Sequence, residues 1–524
     1  MAKKRPNILF IMADQLRNDY LSCYGHPTLE TPAIDALAKR GVQFNRAYVN
    51  ATVCGPSRMS YYTGRYMSSH GSTWNGVPLR IGEPTMGDHL RKQGYRVALV
   101  GKTHMTADER GIERLGLDVD AIEGVYATQA GFEPYERDDG LHPDMLADPN
   151  LAYNKYLRDK GYDGENPWHT AANAGVDEDK NVLSGWFMRN STQPANVADE
   201  HSETAYMTDR AMDFINEAGD DPWCLHLSFI KPHWPYIVSA PYHNMYGPDD
   251  MIPPNRNDAE KDAPHPVYKA YMNHIESETF SDDDVRKAVV PIYMGLIKQM
   301  DDHLARLFQF MKDKGIYEDT FIVMSSDHGD YLGDHWLGEK ELFHDESVRV
   351  PLIVVDPDKS ADATRGMKSD EMVQAIDLVP TFYDLAKGTG LDHILEGQSL
   401  LPILRATGKG HDYIISELDY GQRPAGIELE REPKDSRAYM VLSKRWKYIY
   451  FEGFDAQLFD LETDPKELTD LGTDPKFADI RAQHQEQLFD WARQRRMRIT
   501  MSEAEMKQRQ KIGHRPIGVI IGEW

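Results

Sequence analysis

The chain has 524 residues, 40% hydrophobic and 27% charged, the make-up of an ordinary globular protein with more than one core and not of a disordered one. Its formal net charge of −25 repels nucleic acid and anionic lipid at long range, so an anionic substrate must be drawn in by a local cationic pocket. The three cysteines, Cys23, Cys54 and Cys224, show no paired spacing of a disulfide framework or a zinc site.

The chain opens on Met1-Ala2-Lys3-Lys4-Arg5-Pro6 and passes directly into the apolar run Ile8 to Ala13. That run is too short for a membrane span and carries no cleavage pattern, so a cytoplasmic protein without a membrane partner is expected. The run reads as a strand ending in Asp14-Gln15. Next comes Cys54-Gly55-Pro56-Ser57-Arg58, which reads as a helix starting near Pro56, its N-terminus favouring an anionic group beside Cys54. A second strand, Val97 to Val100, ends in Gly101-Lys102-Thr103-His104. The stretch from about Gly124 to Ala195 is rich in Asp, Gly, Pro, Asn and aromatic residues without sustained periodicity, as expected of an insertion or lid.

A third strand, Trp223 to Phe229, leads into Lys231-Pro232-His233, and a fourth, Phe321 to Ser325, leads into Ser326-Asp327-His328-Gly329-Asp330. Apolar runs alternating with helical stretches predict an α/β fold, a large, mostly parallel or mixed sheet with helices on both faces, forming a catalytic domain over residues 1–380. Beyond Pro380 the pattern changes to short strands at Tyr439 to Leu442, Lys447 to Tyr450 and Gln457 to Asp460, then a helix from Pro475 to Arg498. This predicts a smaller C-terminal α+β subdomain with an antiparallel sheet over residues 381–500. The tail 501–524 ends in the apolar Pro516 to Trp524, expected to pack on its own domain or across a subunit interface.

Ligands of open α/β sheets sit at the carboxyl ends of the strands. There Asp14, Gln15, Asp327 and His328 offer carboxylate, amide and imidazole groups suited to one divalent cation. Singly, each has an ordinary structural explanation, as a helix cap or a satisfied polar side chain. Their convergence with Lys102, His104, His233 and Lys340 supplies the required cationic pocket. Cys54 has three readings: a buried structural thiol, a thiolate nucleophile, or the precursor of another group.

Cys54-Gly55-Pro56-Ser57-Arg58, followed by Thr63-Gly64-Arg65, resembles the signature of the type I sulfatases of the alkaline phosphatase superfamily, whose cysteine is oxidised to formylglycine. The resemblance runs from about residue 6 to about residue 470. It includes Asn7 to Asp14, Leu21 to His26, Thr31 to Asp35, Gly101 to His104, Ser326 to Asp330, Arg445-Trp446-Lys447-Tyr448, and Leu458 to Leu461 through Asp464-Pro465. It implies a sulfuric-ester hydrolase acting on a small-molecule sulfate ester, with one divalent metal held by Asp14, Gln15, Asp327, His328 and residue 54. It also implies a formylglycine-generating enzyme or equivalent as partner, and a homodimer or homotetramer is expected.

In the implied mechanism the hydrated aldehyde at position 54 attacks sulfur, and Arg58 and Lys102 neutralise the nonbridging oxygens. His233, with Lys340, protonates the leaving alcohol; His104 assists loss of sulfate from the second hydroxyl. Asn75 is a weaker substrate-binding candidate.

The pattern departs from many arylsulfatases, which pair Asp-Asp and Asp-Asn where this chain has Asp14-Gln15 and Asp327-His328. That pairing more closely resembles choline sulfatases and phosphonate monoester hydrolases, and makes manganese as reasonable as calcium. His70 to Pro78, with Asn75, resembles the phosphonate hydrolases; Lys102 and His104 resemble the sulfatase pocket and favour sulfate monoesters. Phosphonate monoester or phosphodiester hydrolysis is the alternative. A binding protein with an unmodified thiol and a two-metal phosphatase are the other classes weighed, the latter without a convincing second ligand set.

Overall fold

In the computed structural model, residues 5–496 and 498–513 are described. Strands β1 (Asn7–Asp14), β2 (Val42–Tyr48), β3 (Arg96–Gly101), β4 (Glu133–Arg137), β5 (Ala174–Val176), β6 (Val182–Ser184), β7 (Trp223–Pro232), β8 (Thr320–Ser326), β9 (Leu352–Val355) and β10 (Met367–Gln374) precede four short ones, β11 (Ile414–Asp419), β12 (Arg437–Leu442), β13 (Trp446–Phe451) and β14 (Gln457–Asp460). Eight of them form one sheet in the order β10-β2-β9-β8-β1-β7-β3-β4, in which only β9 runs antiparallel to the rest. The four apolar runs read from sequence are the contiguous centre β8-β1-β7-β3, and their carboxyl ends share one edge.

The alternation along β1 shows why these runs are apolar throughout. Ile8, Phe10 and Met12 enter one core, Leu9, Ile11 and Ala13 the other, and none is exposed. The second core is covered by the helices Pro32–Arg40, Glu203–Ala218 and Asp283–Asp313, through residues such as Ile34, Phe214 and Leu304. The first is covered by the helices Cys54–Thr63 and Leu378–Leu385. A central strand buried on both faces has no polar face to show.

The antiparallel sheet β11-β12-β13-β14 exists, with one strand, β11, more than the sequence reading found. Ser416 and Glu417 interrupt the hydrophobic pattern of β11, although both are buried. Met440, Leu442 and Ile449 join the first core, while Val441, Tyr448 and Leu458 pack with Trp491 of the helix Ala478–Arg493. That helix is shorter than the expected Pro475 to Arg498 and follows a 3₁₀ turn at Pro475–Phe477.

Within the stretch expected to be an insertion, β4 pairs with β3 as an edge strand of the large sheet. Its Glu-Pro-Tyr-Glu-Arg sequence is half-buried and charged, as exposed edges are, and so carries no apolar run. A helix occupies Glu503–Gly513; the apolar Pro516 to Trp524 lies outside the described residues. Among the described residues no helix is long and apolar enough to cross a membrane.

Gly101 ends β3 at φ +107°, where a Cβ would lie 1.9 Å from the Ser228 carbonyl oxygen. Gly101→Ala is therefore expected to cost about 2–3 kcal/mol, from left-handed strain and a backbone clash beside Lys102, measurable as a lower urea midpoint.

Candidate active site

The helix Cys54–Thr63 starts two residues earlier than the proline suggested, with Val53 as its cap, and every residue in it is buried. Cys54 thus lies in the first turn. The Gly55 amide donates to Asn75 Oδ1 at 2.8 Å, and Ser57 Oγ donates to the Asp327 carbonyl at 2.5 Å, so both sides of the turn are tied down. Asn75 is placed as a brace of the helix Cys54–Thr63.

One turn on from Cys54, on the same face, Arg58 reaches the ends of all four central strands. Its Nε donates to Asp327 Oδ2 at 2.8 Å, Nη1 to the Lys102 carbonyl (2.9 Å) and Ser228 Oγ (2.7 Å), and Nη2 lies 3.2 Å from Asp14 Oδ2. Lys102 Nζ is 2.5 Å from the same Asp14 oxygen. Arg58, Lys102, Asp14 and Asp327 are all 0% exposed, so each charge depends on the others for compensation.

Asp14, Cys54, Asp327 and His328 each offer one donor atom, and the four atoms lie within 4.8 Å of one another. His328 Nε2 is 3.1 Å from Cys54 Sγ, 3.8 Å from Asp327 Oδ2 and 3.9 Å from Asp14 Oδ1, and its Nδ1 is fixed by the Gly329 carbonyl at 2.9 Å. Two carboxylates, an imidazole and a sulfur position, all buried and converging, fit one divalent cation of hard or borderline character.

The electrostatics carry the same pattern. Burial pushes the Asp14 carboxyl up, but Lys102 and neighbouring cations outweigh it and hold it well below the usual carboxylate range. Burial likewise opposes ionisation of Cys54, yet Lys340, His328 and Lys102 hold the thiol well below its ordinary value. Burial would lower the imidazole of His328; Asp327 and Cys54 instead raise it to about 9.

Gln15 has φ +66° and gives its backbone N–H to Asp327 Oδ1 at 3.0 Å. Its side-chain oxygen accepts from Lys340 Nζ at 3.1 Å, and its amide nitrogen donates to Asp330 Oδ2 at 2.5 Å. Lys340 Nζ is also 3.3 Å from His233 Nε2. The other nitrogen of His233, Nδ1, faces the Trp234 carbonyl at 2.7 Å and so carries the hydrogen, which leaves Nε2 to accept from Lys340. Burial lowers His233 to about 4, so near neutral pH the resident proton of this pair is on Lys340.

His104, at φ +52°, is half-buried and is among the groups that lower the Cys54 thiol; its Nδ1 is buried and has no hydrogen-bond partner among the described residues. Asp139 Oδ1 accepts the backbone N–H groups of Thr103 and His104 at 2.9 and 3.1 Å and so supports that turn. Asp139, Ser228, Ser57, Asp330 and Tyr236, whose hydroxyl donates to Asp330 Oδ2 at 2.8 Å, were not singled out from sequence. Ser57 and Asp330 carried a signal, as members of the Cys54 to Arg58 and Ser326 to Asp330 motifs.

The sulfatase family profile matches residues 6–389, and that of the N-sulphoglucosamine sulphohydrolase C-terminal region matches residues 333–494. The multifunctional alkaline phosphatase superfamily protein PehA of Trinickia caryophylli is 30% identical, over 93% of this chain and 95% of that protein. A choline-sulfatase of Rhizobium meliloti is 27% identical, over 92% and 88%. Among solved structures, the phosphonate monoester hydrolase of Agrobacterium radiobacter superposes with a TM-score of 0.80 at 28% identity, covering 94% of this chain and 96% of that one. With the signature helix, the convergent donor group and the fold all in agreement, the chain belongs to the sulfatase family.

Proposed function

We propose that this enzyme hydrolyses sulfate monoesters, with residue 54 acting as formylglycine rather than cysteine. The observation that carries the sulfate reading is Lys102, buried with its Nζ 2.5 Å from Asp14, on the same strand-end turn as His104, which is among the groups that lower the residue 54 thiol. The second reading, phosphonate monoester hydrolysis with the same nucleophile, is favoured by the similarity to phosphonate monoester hydrolases over nearly the whole chain.

Asp14, Asp327, His328 and residue 54 would hold one divalent cation, with Gln15 beside them; calcium and manganese both suit the donors. When bound, such a cation neutralises charge on the ester's nonbridging oxygens. Arg58 and Lys102 orient the donors and add positive charge. Formylglycine at position 54 would supply, as its hydrate, the attacking hydroxyl; Asp327 would accept that hydroxyl's proton as the O–S bond forms and the bond from sulfur to the alcohol oxygen breaks. The leaving oxygen takes its proton from the Lys340–His233 pair. His104 would accept the proton of the second hydroxyl, and loss of that proton would break the C–O bond to sulfate and restore the aldehyde.

The deciding experiment compares kcat/KM of the metal-replete enzyme on an aryl sulfate, an aryl phosphonate monoester and a phosphodiester. The sulfate is expected to lead; a leading phosphonate would establish the second reading. Dialysis against a chelator is expected to remove activity and lower thermal stability, with manganese or calcium restoring both. Unchanged activity in metal-free protein would reject the cation.

Removal of the proton source should depend on the leaving group. Lys340→Ala and His233→Ala are each expected to lose about 10²–10⁴-fold in kcat/KM on phenyl sulfate, and much less on 4-nitrophenyl sulfate, whose oxyanion needs no proton. Equal losses on both would place these residues elsewhere in the mechanism.

A further inference from the structure

The motif Arg445-Trp446-Lys447-Tyr448 and the motif ending in Asp464-Pro465, two residues before Glu467, lie far along the chain from the reacting groups, and none of the chemistry above uses them. Lys447, on the central strand β13, is 0% exposed, a costly place for an ammonium group unless it is fully paired. Its Nζ donates to the Phe343 carbonyl and to Asp345 Oδ1, both at 2.8 Å, and lies 2.5 Å from Glu467 Oε1. The other oxygen of Glu467 accepts the Asp345 backbone N–H at 2.8 Å. These bonds close on the segment that carries Lys340, three residues before Phe343.

That segment has internal bonds, Tyr331 N–H to the Glu339 carbonyl and Gly333 N–H to the Leu337 carbonyl, yet much of its backbone is strained. Leu332, His335, Trp336, Glu339, Glu341 and Leu342 all have positive φ, and Glu339 and Glu341 flank Lys340 directly. Non-glycine residues in this region carry backbone strain and persist only where the surroundings over-determine them. Inside the segment, Lys340 reaches Gln15 and His233 at 3.1 and 3.3 Å, distances that a small relaxation of the backbone would lose. The carbonyl of Phe343 and the amide of Asp345 are where the C-terminal sheet grips it.

We infer that Lys447, together with Glu467, is a positioning residue for Lys340: the C-terminal sheet clamps the strained segment 332–345 and thereby fixes the ammonium group against His233. This rests on the proposed role of Lys340 in protonating the leaving oxygen. It gives the buried lysine of the late motif a part in turnover although it touches no reacting atom.

Lys447→Met removes the charge at similar volume. Its kcat on phenyl sulfate is expected to fall about 10–100-fold with KM little changed, while kcat on 4-nitrophenyl sulfate falls by less than about threefold. A structural role alone would lower the active fraction and reduce both substrates by the same factor, which would overturn the inference. In the double variant Lys340→Ala/Lys447→Met, the ratio of the two rates should equal that of Lys340→Ala alone, because the clamp acts only through Lys340; independent, multiplying effects would also overturn it. Should Lys447→Met not fold, Glu467→Gln, which keeps an oxygen for the Asp345 amide, carries the same comparison. If Lys340→Ala itself shows no dependence on the leaving group, the proposed role of Lys340 fails, and the clamp with it. A dependence in Lys340→Ala but not in the clamp variants defeats the clamp alone.

Discussion

Cys54→Ala is expected to lose about 10⁴–10⁶-fold in kcat/KM while the protein remains folded. The large loss follows from the position of residue 54 in the first turn of the helix Cys54–Thr63, where it is the group toward which Lys340, His328, Lys102 and His104 all converge. The small effect on folding follows from its size: the helix is held by Asn75 on Gly55, by Ser57 on the Asp327 carbonyl and by four contacts of Arg58, none of which passes through the thiol. Cys54→Ser separates two chemistries. A serine hydroxyl keeps a nucleophilic oxygen in place but cannot be oxidised to the aldehyde, so it would accept the sulfuryl group and have no second hydroxyl with which to expel it. A single-turnover burst followed by no further release is the expected signature. Intact-mass measurement of the wild type completes the test, since oxidation replaces sulfur and two hydrogens by one oxygen. An active preparation with the full cysteine mass would sink the formylglycine reading.

The strand ends were legible because a parallel strand buried on both faces must be apolar along its length and must stop being so where it meets the site. Thus Asp14, Lys102 and Asp327 announced themselves as polar residues closing apolar runs. The edge strand β4 and the interrupted β11 were not legible, since one is half-exposed and charged and the other carries Ser416 and Glu417 inside the core. Arg58 stood in the motif, but its span of four strand ends depends on a fold that brings residues 14, 102, 228 and 327 together. The supports are harder still. Asp139 accepts backbone amides, and Lys447 grips a carbonyl 104 residues earlier in the chain, contacts that leave no periodic trace in the amino-acid order.

Arg58→Met should destabilise the protein by about 3–5 kcal/mol near neutral pH as well as abolish useful turnover, because it removes one partner from a fully buried charge network. Asp327 would lose its 2.8 Å guanidinium contact, and Asp14 would keep Lys102 at 2.5 Å and His328 at 3.9 Å. The pH dependence gives this prediction its sign. In the wild type the Asp14 carboxyl is depressed by its cations, against burial, so its contribution to stability is present above the ordinary aspartate value of 3.8 and is lost as pH falls through the depressed folded value. Removing Arg58 lets the folded value rise, so the gap between variant and wild type in urea midpoints should be widest near pH 7 and should close on acidification below about pH 4. A divalent cation should narrow the gap as well, since it would offset the same two carboxylates, and it should do so more in the variant than in the wild type. A gap that is flat with pH and indifferent to added manganese or calcium would mean that Arg58 acts by packing rather than by charge, and the network of Arg58, Asp14 and Asp327 would not be the electrostatic centre of this site.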